Sequence, residues 1–233
     1  MFNKKNIYNS EDYFICPLVH SYYMLKDISG SIPELKTFCE TEINNKHFID
    51  NKKSLLGEIK LGSQISINHI NNTLINNLKK SIIDMAKAYI YSYIYKTKNS
   101  SFGIDSIWIV NQLATDYNPI HIHENSKSDY GLSGFIHINL PNVLNKKKNL
   151  ENLCNIHSRG SKGCHDGVTS LIWRNQGGSI AKKSFIHPGI IECPLDTGII
   201  YLFPSWLDHT VYPFFNSDES RITIAFNVWV LWE

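Results

Sequence analysis

Arginine is nearly absent. Of 23 basic residues only three are Arg, at positions 159, 174 and 221, and 21 Asp and Glu leave a net charge of +2 over 233 residues. A chain without a large clustered basic excess does not carry the electrostatic footprint of a nucleic-acid binder. Cysteine is also scarce. There are five, at 16, 39, 154, 164 and 193, with no Cys-x-x-Cys pair. An odd number without paired spacing argues against a disulfide framework and for reduced thiols. Long apolar runs are missing too. The greasiest stretch, Ile82 to Tyr95, is interrupted by Asp84, Lys87 and several tyrosines, and falls short of the ~20 apolar residues of a membrane span. The opening MFNKKNIYNS has two lysines but no apolar segment after them, so no export signal is expected and the cytoplasm is the expected location. With Lys as the default basic residue, each Arg is a position to explain, because Lys is a poor substitute where a planar two-pronged donor is needed.

Twelve Tyr, eleven Phe and five Trp exclude a disordered chain, and the length suits one core domain with an attached lobe. Residues 1–103 read as a helical and irregular lobe. Ser31-Ile-Pro33-Glu34 is a helix start with Pro in the first turn, followed by Leu35, Phe38, Cys39 and Ile43 at helical spacing. A second helix is predicted over 72–96, with a broad apolar stripe from Leu74 to Ile94 suited to packing on a sheet. From residue 104 to 233 short β-branched and aromatic runs alternate with Gly, Pro, Asn and Asp clusters. Strands are predicted near 105–112, 119–124, 132–139, 168–173, 184–191, 198–203, 209–214 and 221–231. Eight short strands in a row indicate a mainly β sandwich, barrel or jelly roll with flanking helices. The polar, breaker-rich segment 142–167 is predicted to be a long loop.

Three motifs carry chemistry. In Tyr117-Asn118-Pro119-Ile120-His121-Ile122-His123, strand alternation points His121 and His123 to the same face, where they either aim two imidazoles at one metal or cap a sheet edge. His209, in Phe203-Pro204-Ser205-Trp206-Leu207-Asp208-His209, opens a strand and is either a distant third ligand or a hydrogen-bonded surface histidine. Arg221 and Thr223 share one face of the last strand, and Ile222, Ile224 and Phe226 the other. An Arg entering an apolar strand is expensive unless it meets an anion; a carboxylate ligand and an internal acid both satisfy that condition.

YNPIHIH, LSGFIHINLP, DTGIIYLFPSWLDHTVYPF and SRITIAFN, in that order and spacing over residues 104–230, resemble the Fe(II)/2-oxoglutarate-dependent oxygenase superfamily. More narrowly they are similar to small phage hydroxylases of the prolyl 4-hydroxylase type. The resemblance implies a double-stranded β-helix, that is, a cupin-like jelly roll, with His121 and His123 at the end of the second core strand, His209 at the seventh and Arg221 on the eighth. It implies Fe(II) on His121, His123 and His209, with 2-oxoglutarate and O2 as cosubstrates. The far carboxylate of 2-oxoglutarate is expected on Arg221 and Thr223. A C–H bond of a peptide residue or small molecule would be hydroxylated as succinate and CO2 form. Asn111, Ser133, His137 and Asn227 are further candidates to line the cosubstrate site. One departure is plain: the family's usual His-x-Asp reads His-x-His, so either His123 ligates, or Glu124, Asp129 or Asp208 supplies an anionic ligand.

Two other readings stand beside this one. The roll can be a cupin-like dioxygenase without 2-oxoglutarate, or a non-catalytic binding module; neither needs an anion anchor at Arg221. Cys154, His157, Cys164 and His165 have the residue types of a zinc site, but not a standard spacing. Lys146-Lys147-Lys148 reads as a solvated loop.

Overall fold

Side chains alternate across a strand, so the sequence of each strand fixes what its two faces carry. In the computed structural model residues 13–15, 23–45, 57–93, 100–123, 128–147, 165–172 and 190–232 are described. Fourteen elements follow in order: β1 (Tyr13–Ile15), β2 (Met24–Asp27), α1 (Ile32–Asn44), β3 (Ser63–Ser66), α2 (Thr73–Tyr93), β4 (Ser100–Gln112), β5 (Asn118–His121), β6 (Tyr130–Asn139), α3 (Asn142–Lys147), β7 (Thr169–Ile172), β8 (Ile190–Cys193), β9 (Ile199–Pro204), β10 (Asp208–Val211) and β11 (Arg221–Trp232). They build a seven-stranded sheet ordered β1-β2-β9-β6-β11-β4-β3 and a four-stranded sheet ordered β5-β10-β7-β8. Strand pairing within both is antiparallel. This is a jelly roll, and its last eight strands match the eight expected ones in order.

One face of the large sheet is buried by helices. Ile107 and Ile109 of β4, Leu132 and Ile136 of β6, and Ile222, Ile224, Phe226 and Val228 of β11 join Leu35 and Cys39 of α1 and Ile75, Ile82, Met85 and Tyr89 of α2 in one apolar core. Each such side chain contributes about 1.5–3 kcal/mol on burial, so this layer is the main anchor of the fold. Asn72 caps α2, its Oδ1 accepting the Ile75 N–H at 2.9 Å, and Pro33 sits in the first turn of α1. Both helix starts follow ordinary capping rules.

The opposite face of the large sheet looks into the roll. Phe135, Tyr201 and Phe203 meet Leu171, Cys193 and Leu207 there, and Trp108 and Val110 pack with Ile59. Gly198, at φ +84°, turns the chain into β9; it donates to His137 O at 3.0 Å and accepts from Ile28 N–H at 2.7 Å.

Two regions differ from expectation. The N-terminal region supplies β1, β2 and β3 to the large sheet, where only helices and irregular chain were expected. Residues 142–147 of the expected long loop form α3. Its Leu144 is buried with Leu140, Val168, Leu195 and Phe214, and the Glu219 carboxylate accepts from the Asn142 backbone N–H. Of the expected strand at 184–191, residues 190 and 191 are described and open β8, while 184–189 lie outside the described residues. Cys154, His157, Cys164 and Lys148 lie outside the described residues, as does Glu124.

Candidate functional site

His121 on β5 and His209 on β10 are direct cross-strand partners, and their ring centroids are 4.1 Å apart. His123, just past the end of β5, is held by its backbone N–H donating to Ser205 O at 2.9 Å. Its ring lies 5.1 Å from that of His121 and 5.0 Å from that of His209. One ligand atom from each of the three falls within 4.8 Å of the others, and among the described residues this is the cluster with metal-ligand character.

Backbone carbonyls set two of the tautomers. His121 Nδ1 lies 2.7 Å from Pro119 O and His209 Nδ1 lies 3.0 Å from Leu207 O. A carbonyl only accepts, so each Nδ1 carries the proton and each Nε2 keeps a lone pair. His123 Nε2 and His209 Nε2 are 3.2 Å apart. Metal–imidazole bonds of about 2.0–2.1 Å at right angles separate their donors by about 3 Å, so the pair fits one ion. Burial lowers the pKa of His121. Burial, then the charge of His121, takes His123 down to about 4. Burial and the other two imidazoles hold His209 well below its usual value. All three are therefore neutral at pH 7, the form that ligates.

Beside the histidines lies a cavity walled by Trp108, Phe135, Phe203 and Val211. Its polar floor is built from both sheets. Asn118 pairs with Val211, and Val211 with Thr169; the next rung along those strands is His121, His209 and Leu171. From the large sheet come Gln112, Arg221 and Thr223. The Arg221 side chain is only 1% exposed. Its Nη2 donates to Thr169 Oγ1 at 2.9 Å and approaches His137 Nδ1 at 3.4 Å. Nε and Nη1 have no partner, and among the described residues no acid pairs with it. Burial lowers the guanidinium to about 9, which still leaves it cationic at neutral pH. His137 is held neutral by burial and by the Arg221 charge, and its Nδ1 lies 3.2 Å from Thr223 Oγ1. A buried cation with two idle donors, beside three neutral imidazoles, fits a metal carrying a carboxylate-bearing cosubstrate.

The sequence candidates are placed as follows. His121, His123, His209, Arg221, Thr223 and Ser133 line the cavity. His137 stands behind Arg221 and Thr223. Asn227 bridges Ser133 Oγ at 2.8 Å and Ser106 Oγ at 3.0 Å, a polar rung beside the cavity. Asn111 is turned away: it pairs with Ile222, whose side chain lies in the helix-facing core, and Gln112 occupies the cavity face instead. Asp129 accepts from Trp232 N–H at 2.6 Å, at the far end of β11 from Arg221. Asp208 is not in the cluster, since strand alternation turns it opposite to His209. Among the described residues no carboxylate joins the three imidazoles. Gln112, Asn118 and Thr169 were missed, though Asn118 lies within the quoted YNPIHIH motif.

A family model described as "Putative 2OG-Fe(II) oxygenase" matches residues 106–227. No curated protein matches the chain. Among solved structures, a prolyl-4-hydroxylase from Pseudomonas putida superposes with a TM-score of 0.54 at 10% identity, covering 92% of this chain and 94% of that one. The non-haem α-ketoglutarate-dependent epimerase SnoN from nogalamycin biosynthesis gives 0.57 at 10%, covering 90% and 78%. HygX from Streptomyces hygroscopicus, solved with nickel and 2-oxoglutarate bound, gives 0.52 at 7%, covering 90% and 82%. At such identities these likenesses speak to the fold. The family match spans more than half of the chain and takes in β5, β10 and the start of β11, so the chain belongs to the 2OG-Fe(II) oxygenases, oxidoreductases that use iron, 2-oxoglutarate and dioxygen.

Proposed function

We propose that His121, His123 and His209 hold Fe(II) and that Arg221, with Thr223, anchors the far carboxylate of 2-oxoglutarate. The observation that carries this reading is Arg221: a buried guanidinium with idle donors and no acid partner, in a cavity that three neutral imidazoles share. Iron with 2-oxoglutarate and dioxygen supplies a two-electron oxidation of a substrate C–H bond, with succinate and carbon dioxide as the other products. The chain's own residues do the positioning. Pro119 O and Leu207 O hold the His121 and His209 rings with Nε2 presented. Thr169 and His137 steady the guanidinium. Trp108, Phe135 and Phe203 exclude water, which strengthens every charge contact inside. Nothing in this arrangement requires a carboxylate ligand, and His123 takes the position at which the family's usual pattern has Asp.

The proposed substrate is a peptide residue or a small molecule. The turn bonded to His123 exposes Trp206, an apolar surface next to the metal cluster. In this reading residues 104–233 form the catalytic core, residues 1–103 form the lobe that packs on it and adds strands to its large sheet, and the protein works in the cytoplasm. Among the described residues no helix is long and apolar enough to cross a membrane.

The test is a titration without oxygen. Purified protein given Fe(II) and 2-oxoglutarate develops a weak visible charge-transfer band that neither component gives alone. Metal binding without that band would contradict the cosubstrate role and leave a metal-binding roll of another kind.

A further inference from the structure

Gln112 has no assigned task, and its position is unusual. It is the last residue of β4 and only 2% exposed. Its Nε2 is buried without a partner. Leaving an amide donor dry and unpaired costs about 1–3 kcal/mol, and a structure tolerates that where a ligand completes the bond. Gln112 is the direct cross-strand partner of Arg221, and residues so placed have Cβ atoms about 4.5–5.5 Å apart on the same face. Both side chains line the same cavity. Among the described lining residues Arg221 is the one cation, the imidazoles being neutral, and there is no acid. Two neighbouring side chains thus present idle N–H groups at one place, and Asn111, one residue earlier, faces the other way.

We propose that Gln112 is a specificity-determining residue: its amide N–H donates to the far carboxylate of 2-oxoglutarate, completing with Arg221 a paired donor site. This rests on the function proposed above. A neutral amide suits the role because it adds a second donor without a second buried charge, which would cost several kcal/mol of desolvation. A carboxylate has about four acceptor positions, more than Arg221 and Thr223 fill between them. Such a site selects 2-oxo acids ending in a carboxylate over those of equal length ending in a methyl group.

The experiment compares two acids in wild type and in Gln112→Met, which keeps the side chain's length and approximate volume. 2-Oxoglutarate and 2-oxopentanoate are titrated without oxygen against the Fe(II)-loaded protein, and the charge-transfer band is read; Fe(II) affinity is measured separately. The expected result is a Kd for 2-oxoglutarate about tenfold higher in the variant, the scale of one hydrogen bond to a charged group. The Kd for 2-oxopentanoate and the iron affinity stay within about twofold. Gln112→Glu, which sets an acid beside Arg221, should weaken 2-oxoglutarate further. Equal weakening of both acids would make Gln112 a shape-filling residue and overturn the proposal, as would no change for either. Loss of iron binding in Gln112→Met would also overturn it, by making the residue structural. A wild type that gives no band with iron bound would instead remove the function reading, and this inference with it.

Discussion

Lysine and arginine carry the same charge but differ in what they offer a carboxylate. Arg221 presents a planar fork, of which one nitrogen is spent on Thr169 and two are idle. Lysine offers a single rotating ammonium. Arg221→Lys is therefore expected to raise the 2-oxoglutarate Kd by tenfold or more while changing Fe(II) affinity by less than about twofold, as read by the same oxygen-free titration. Loss of both in parallel would make Arg221 a structural residue. The histidines give a second prediction. His121, His123, His137 and His209 all have folded pKa values lowered by burial, so below about pH 6.5 the unfolded chain binds more protons than the folded one. Stability that is present above that pH is lost as the pH falls, by up to about 1.4 kcal/mol per pH unit for each such histidine. The melting temperature of the metal-free protein should drop between pH 7 and pH 5.5, and the drop should shrink in His137→Gln. A melting temperature flat across that interval would show that these imidazoles are not buried neutral.

Strands bring these residues together, and their connections set the register. The turn between β4 and β5 is pinned by Asp116, a buried carboxylate that accepts four backbone N–H groups: Lys60 at 2.8 Å and Leu61 at 3.1 Å on one oxygen, Gly62 at 2.8 Å and Leu113 at 3.0 Å on the other. Gly62 is required there because a Cβ would lie 1.8 Å from Asn111 O. The pin ties the chain before β3 to the turn that launches Asn118 and His121. Asp116→Asn keeps one acceptor oxygen and loses the other, so it should cost about 2–4 kcal/mol, measured as a lower denaturant midpoint; an unchanged midpoint would mean the turn holds without it. Alternation made much of this legible in the sequence. His121 with His123, Arg221 with Thr223, and Ser133 with Phe135 and His137 could all be assigned to shared faces by counting in twos. β4 could not be read that way. Its run Ile107-Trp108-Ile109-Val110 is apolar at every position because both faces are buried, one by helices and one by the roll. A continuous apolar run does not say which parity faces inward, and a one-residue error exchanges the faces; Asn111 was therefore expected at the cavity where Gln112 stands. β1, β2 and β3 escaped notice because they are only three or four residues long. β3, Ser63-Gln-Ile-Ser66, is also mostly polar, and gains its place by pairing with β4.

At the scale of the whole molecule, the large sheet has two unlike faces. Its helix-covered side is a continuous apolar core that gives rigidity. Its inner side holds Gln112, His137, Arg221 and Thr223, groups that are costly to bury and would weaken a fold lacking that support. The small sheet supplies His121, His209, Asn118 and Thr169 from across the cavity. The three proposed ligands thus come from parts of the chain 86 residues apart, and only the closure of the roll brings their rings to one point. The test that bears most directly on this account is a crystal grown and soaked without oxygen in Fe(II) and 2-oxoglutarate, with data collected across the iron absorption edge. The account predicts one strong anomalous peak bonded to His121, His123 and His209, with the far carboxylate of 2-oxoglutarate against Arg221. A peak bonded to a carboxylate in place of His123, a 2-oxoglutarate lying away from Arg221, or no peak among the three imidazoles would contradict it.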